Sequence, residues 1–163
     1  MTARKCLPWP NKILRTPAET VPEITDEIRG IWDDMIDTME IMPGIGLAAP
    51  QIGIGLRLAV VDASRERGMA IRMANPEILH ASVEMAMGEE GSPNLPGVSA
   101  KVKRPRAVTV RFLNDKGIWD RRELVLQWGR SVQHQIDHLN GRMYFDNLSR
   151  VKRDMLLRKA GVR

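Results

Sequence analysis

Two histidines stand four residues apart in the stretch Val132-Gln133-His134-Gln135-Ile136-Asp137-His138-Leu139. On an α-helix, residues i and i+4 share a face one turn apart, so both imidazoles can meet one divalent cation. In the H-E-x-x-H arrangement the residue after the first histidine is Glu, which takes a proton from metal-bound water. Here that residue is Gln135. A carboxamide orients a water molecule but cannot accept its proton. The spacing points to part of a metal-dependent hydrolytic site that lacks its base.

The elements that must position this pair follow from periodicity. Trp128 to Leu139 reads as the helix carrying the histidines, ended by Asn140-Gly141. Residues 23–40 read as a second amphipathic helix, with Ile24, Ile28, Ile31, Met35, Ile36 and Met39 on one face. Thr20 and Glu23 have capping-box spacing, and Pro22 suits a first turn. Leu56 to Asp62, Ala70 to Leu79 (broken at Asn75-Pro76), Ala107 to Phe112 and Ile118 to Leu126 read as strands. Residues 88–97 are rich in chain breakers and read as a loop. Residues 150–160 form a last short helix, with Val151, Met155 and Leu156 on one side. The class expected is mixed α+β, and residues 1–163 make one domain without a linker.

Composition narrows the setting. The 163 residues suffice for one sizeable core, and 43% hydrophobic content is ordinary for a globular chain. No apolar run approaches the roughly 20 residues that span a bilayer, and the start has no signal-peptide core. A lone cysteine, Cys6, forms no internal disulfide; it reads as an incidental residue or a reactive thiol, and a reducing bacterial cytoplasm is expected. The net charge of +5 resides in residues 150–163, where Arg150, Lys152, Arg153, Arg158, Lys159 and Arg163 face Asp154 alone. Such a tail suits an RNA or membrane surface, or simply a solvated helix end.

Three stretches in this order resemble the peptide deformylases. The motif G-x-G-L-A-A-P-Q is matched in full by Gly44 to Gln51. E-G-C-L-S aligns with Glu90-Gly91-Ser92-Pro93-Asn94, and Q-H-E-x-D-H-L aligns with Gln133 to Leu139. Asn75-Pro76-Glu77-Ile78 and Ile13-Leu14-Arg15-Thr16-Pro17 also fit. The resemblance implies antiparallel sheets packed around the central helix that carries the HxxxH pair. It implies an enzyme that removes the formyl group from N-terminal methionine, using Fe²⁺, Zn²⁺ or Ni²⁺ held by the motif Cys and both histidines. It further implies a base at the motif Glu. Gln51 and the backbone N–H at the Leu position would hold the oxyanion, and Ile45, Gly46, Leu47 and Gly91 would line the substrate groove.

Three chemical positions depart from that pattern. Ser92 replaces the thiolate ligand with a neutral hydroxyl, which is not a usual zinc ligand. Losing the only anionic ligand should weaken the site by several kcal/mol out of ~10–16 for a whole zinc site. Pro93 has no backbone N–H for the oxyanion, a loss typically worth about 10²–10³ in turnover. Gln135 removes a base worth about 10²–10⁴. Glu89 or Glu90 is an alternative third ligand. Otherwise the histidines are hydrogen-bonded within the domain without a tightly bound metal, and Gln135 pairs with one of them or with Ser92. Asp137 orients a neighbour or pairs with Arg104 or Arg106.

The expectation is therefore a deformylase-like protein that has lost deformylation and binds the N-terminal peptides of nascent chains. The alternatives are a weak or altered metal-dependent deformylase or amidase, and a module docking on the ribosome through residues 150–163. No membrane partner is expected.

Overall fold

The computed structural model describes residues 2–162. Its central sheet has five strands in the order β1-β2-β3-β6-β7, every neighbouring pair antiparallel. They are β1 (Gly46–Ala48), β2 (Leu58–Val61), β3 (Ile71–Ala81), β6 (Ala107–Leu113) and β7 (Trp119–Val125). A separate hairpin pairs β4 (Met85–Ser92) with β5 (Leu95–Pro105). Helix α1 (Asp26–Ile41) packs on one face of the sheet and α2 (Leu126–Leu139) on the other, with α3 (Arg150–Lys159) near the end of the chain. The α+β class and the central histidine helix are as expected.

Strand alternation divides the core between the helices. Leu58 and Val60 pack with Trp32, Met35 and Met39 of α1. Val61, Met73, Val110 and Phe112 pack with Val132 and Ile136 of α2. β2 is buried on both faces because a helix covers each side.

Several boundaries differ from the sequence expectation. α1 starts at Asp26, and its cap is Thr25, whose hydroxyl accepts the Ile28 N–H at 3.3 Å. The expected Thr20–Glu23 capping box does not form. Residues 19–21 are held elsewhere: Glu19 N–H donates to Gly55, Arg57 N–H donates to Glu19, and Val21 N–H donates to the Asn75 side chain. The break expected at Asn75-Pro76 is a bulge within a continuous β3, where Asn75 takes φ 52° and bridges both backbone groups of Val21.

The expected loop at 88–97 is instead the heart of a hairpin. Pro93-Asn94 form a two-residue turn between Ser92 and Leu95, and a register shift absorbs the remaining breakers. In α3 only Leu156 is buried. Val151 and Met155, expected to pack beside it, are 69% and 62% exposed.

Candidate active site

The first residue of α2, Leu126, adopts φ 54°, a strained turn that swings the chain from β7 directly into the helix. Gly129 tolerates this tight entry, since a Cβ there would sit 2.6 Å from the Leu124 carbonyl oxygen. The helix then runs through the interior and buries nearly all of residues 129–139. β1 lies flush against it at Gly46, where any Cβ would collide with Ser131 Oγ and the Gln135 amide.

The two imidazoles meet as helical spacing requires, with their Nε2 atoms 3.2 Å apart. Two nitrogens bound to one tetrahedral ion at 2.0–2.1 Å would be about 3.3 Å apart, so the pair is set as cation ligands are. His134 Nδ1 lies 2.8 Å from Glu90 Oε1, a carboxylate that accepts a hydrogen bond from a proton-bearing nitrogen on that side of the ring. The two Nε2 atoms share one hydrogen bond, and the buried Nδ1 of His138 has no partner. Burial first, then neighbouring His134, holds His138 well below the ordinary histidine range, so it is neutral.

The rest of the donor set does not complete a metal site. Ser92 Oγ donates to Asn94 Oδ1 at 3.0 Å and receives the Asn94 N–H at 3.3 Å. Its hydroxyl therefore closes the hairpin turn. Neither acidic alternative fits. Glu89 Oε1 accepts a bond from Ser99 Oγ at 2.7 Å. Glu90 faces the outer nitrogen of His134, away from the Nε2 pair. Among the described residues, no group of three His, Cys, Asp or Glu side chains is placed to hold an ion.

Glu90 instead anchors a buried charge network. Arg104 grips it with two bonds, Nε to Oε2 at 2.7 Å and Nη2 to Oε1 at 2.8 Å, and Arg130 Nη1 adds a third at 2.7 Å. Burial alone would raise this carboxyl, but Arg104 and then His134 outweigh it and hold Glu90 at about 2. Of the two partners expected for Asp137, Arg104 is the one found, at 3.0 Å; Arg106 pairs with Glu84.

The oxyanion positions are altered as well. Pro93 occupies the turn without an N–H. Gln51 is buried, and its Nε2 donates to Asn94 Oδ1 at 2.8 Å while its Oε1 accepts the Ala48 N–H at 2.9 Å. Asn94 ties this corner together: its side chain also donates to the Leu7 and Gln51 carbonyls, and its own carbonyl accepts the Trp9 N–H. Gln135 pairs with neither histidine nor Ser92. Its Nε2 donates to Ser131 Oγ at 3.4 Å, and its Oε1 is buried without a partner.

Above these groups lies a cleft of about 370 Å³. Its walls include Ile45, Gly46, Gln51, Gly91, Ser92, Pro93, His134 and Gln135, which brings together most of the expected site. Leu47 and His138 are the exceptions, His138 lying buried beneath His134; Leu47 turns to the core. It is fully buried and packs with the α1 core, because its neighbour Gly46 takes the cleft side of β1. Sequence reasoning missed Arg130, Asn94 and Tyr144. Tyr144 stacks on His134 with centroids 5.9 Å apart; burial, then the Glu90 charge, push its hydroxyl up to about 12. Arg130 had a signal, since a charged residue four before His134 lies on the face that must be buried.

The family model described as polypeptide deformylase matches residues 3–154. A peptide deformylase of Afipia carboxidovorans is 39% identical over 161 residues, covering 98% of this chain and 94% of that protein. One from Acidobacterium capsulatum is 42% identical over 164 residues, covering 98% and 94%. The crystal structure of peptide deformylase from Ehrlichia chaffeensis superposes with a TM-score of 0.92 at 30% identity, covering 98% of this chain and 96% of that one. With motif order, fold and nearly full-length similarity in agreement, this chain belongs to the peptide deformylase family.

Proposed function

We propose that this chain seats the N-terminal end of formylated peptides in the cleft over α2, and that its release of formate is greatly slowed. The observation that carries this reading is an open cleft of about 370 Å³ directly above chemical positions occupied by a hydroxyl, an imino acid and an amide. Gly46, the first residue of the edge strand β1, lines the cleft with His134, and an edge strand is what an extended peptide pairs with. Gln51 is committed to Asn94, Pro93 has no N–H, and Gln135 cannot take a proton. Residues acting as a unit do not add, so the combined loss is smaller than the product of the separate losses, yet it remains orders of magnitude. A titration with formyl-Met and unformylated Met peptides tests it, together with a formate assay and metal analysis of protein purified without chelator. Micromolar binding without turnover supports the reading; absence of binding to every peptide removes it.

A second reading is a working metal-dependent deformylase. It is supported by the 3.2 Å convergence of the two Nε2 atoms and by relatives near 40% identity named peptide deformylase. Stoichiometric Fe²⁺, Zn²⁺ or Ni²⁺ with rapid formate release would establish it over the first. Ribosome docking is a separate proposal for residues 150–163. Arg150, Lys152, Arg158 and Lys159 are exposed along α3, while Arg163 lies outside the described residues. Phosphate contacts of this kind weaken steeply with salt. Unchanged ribosome co-sedimentation after deletion of residues 150–163 would refute it.

A further inference from the structure

One wall of the cleft carries a buried guanidinium. Arg130 lies one turn before His134 on α2, about 6 Å along the helix, so both face the same cleft. Its Nη1 uses both protons, on Glu90 Oε2 at 2.7 Å and the Val102 carbonyl at 2.9 Å, and Nη2 spends one on the Ala86 carbonyl at 2.9 Å. The Nε–H and the second Nη2–H have no partner in the protein, and neither nitrogen is among the sealed, unpartnered buried atoms. Nε and Nη2 lie along one edge of the planar group, an edge that can grip an oxygen side-on.

Gly88 makes room for this arrangement. A Cβ there would sit 2.5 Å from Arg130 Nε, 2.6 Å from Cζ and 2.9 Å from Nη2. The three distances set that Cβ over the face of the guanidinium on its Nε–Nη2 side, so glycine keeps this side clear of a side chain from β4. Gln127 continues this polar wall, and Met42, Pro43 and Ile45 provide an apolar one. A thioether on this wall would leave two charged donors desolvated without an acceptor, a costly arrangement.

We propose that Arg130 makes the cleft select a peptide whose first side chain ends in a neutral oxygen acceptor, as in methionine sulfoxide or glutamine, over methionine itself. This rests on the reading that the cleft seats a peptide N-terminus. Neutrality follows from charge balance. Glu90 and Asp137 already oppose Arg130 and Arg104, and Glu89 adds a further carboxylate to the cleft, so an anionic side chain meets repulsion.

The test is calorimetric titration of the full chain with formyl-X-Ala-Ser peptides in which X is methionine, norleucine, methionine sulfoxide, glutamine or glutamate. Methionine sulfoxide and glutamine should bind about tenfold or more tighter than norleucine, the size of one hydrogen bond to a charged group. Arg130→Leu should bring that ratio to one or below. Because Arg130 also supports Glu90, Gly88→Ala serves as a second variant: it keeps both charges and crowds the guanidinium, and should narrow the same ratio in protein whose melting shows it folded. Methionine or norleucine binding as tightly as methionine sulfoxide and glutamine would overturn the selectivity while leaving peptide binding intact. Glutamate binding tighter than glutamine would overturn the neutral-acceptor assignment. If none of the five peptides binds, the seating of peptides in the cleft falls, and the selectivity with it.

Discussion

At the scale of single residues, the site separates what holds a histidine from what does chemistry beside it. Glu90 and Arg104 fix the outer nitrogen of His134 through buried bonds of 2.7–2.8 Å, and the inner nitrogens converge at 3.2 Å. The groups that would act there are replaced. Ser92→Cys, Pro93→Leu and Gln135→Glu together should therefore raise formate release by at least about 10²-fold over the unmodified chain, since each restores a different function. Each single reversion should gain far less, because a base without its third ligand has no activated water to serve. A formate assay on the unmodified chain and the four variants checks this, and a flat result would mean that the cleft no longer seats the substrate. Glu90→Gln probes the supporting network. It leaves Arg104 and Arg130 buried with one carboxylate fewer, and should cost about 3–5 kcal/mol in urea unfolding.

At the scale of elements, the deciding feature is where backbone groups find partners. Thr25 caps α1, while Thr20 lies in a segment bound to Gly55, Arg57 and Asn75. Thr25→Ala should cost about 1 kcal/mol, and Thr20→Ala should change stability by less than about 0.5 kcal/mol, as chemical denaturation would show. The β4–β5 hairpin illustrates the same point. Its glycines and prolines suggest a loop by composition, yet they occupy a two-residue turn and a bulge, and Gly88 leaves space for a guanidinium from another element. Whether a breaker ends a strand or bends it depends on the pairing partner, which is remote in sequence.

At the scale of the whole molecule, titration links the site to stability. The Glu90 carboxyl falls from 4.5 to about 2 on folding, so the unfolded chain takes up its proton first as the medium is acidified. Its stabilisation is complete above about pH 4.5 and is lost between there and pH 2, an amount on the order of 3 kcal/mol. His138 is neutral in the fold and titrates near 6.5 when unfolded, so stability should begin to fall below about pH 6.5. Urea midpoints at pH 7.5, 6, 5, 4 and 3 should fall steadily. In Glu90→Gln the decline below pH 4.5 should flatten, and in His138→Asn the decline starting near pH 6.5 should flatten. No helix among the described residues is long and apolar enough to cross a membrane.

The sequence by itself determined the helix that pairs His134 with His138, the strands β2, β3, β6 and β7, the α+β class and the three altered chemical positions. These depend on local periodicity and on the identity of single side chains, both of which are written along the chain. Only the tertiary structure decided that Asn94 occupies Gln51, that Leu47 turns to the core, that Glu90 supports His134 from behind, and that Arg130 enters the cleft past Gly88. Each of those contacts joins residues far apart in the chain, and a buried polar group takes whichever partner the packing of distant elements brings within about 3 Å.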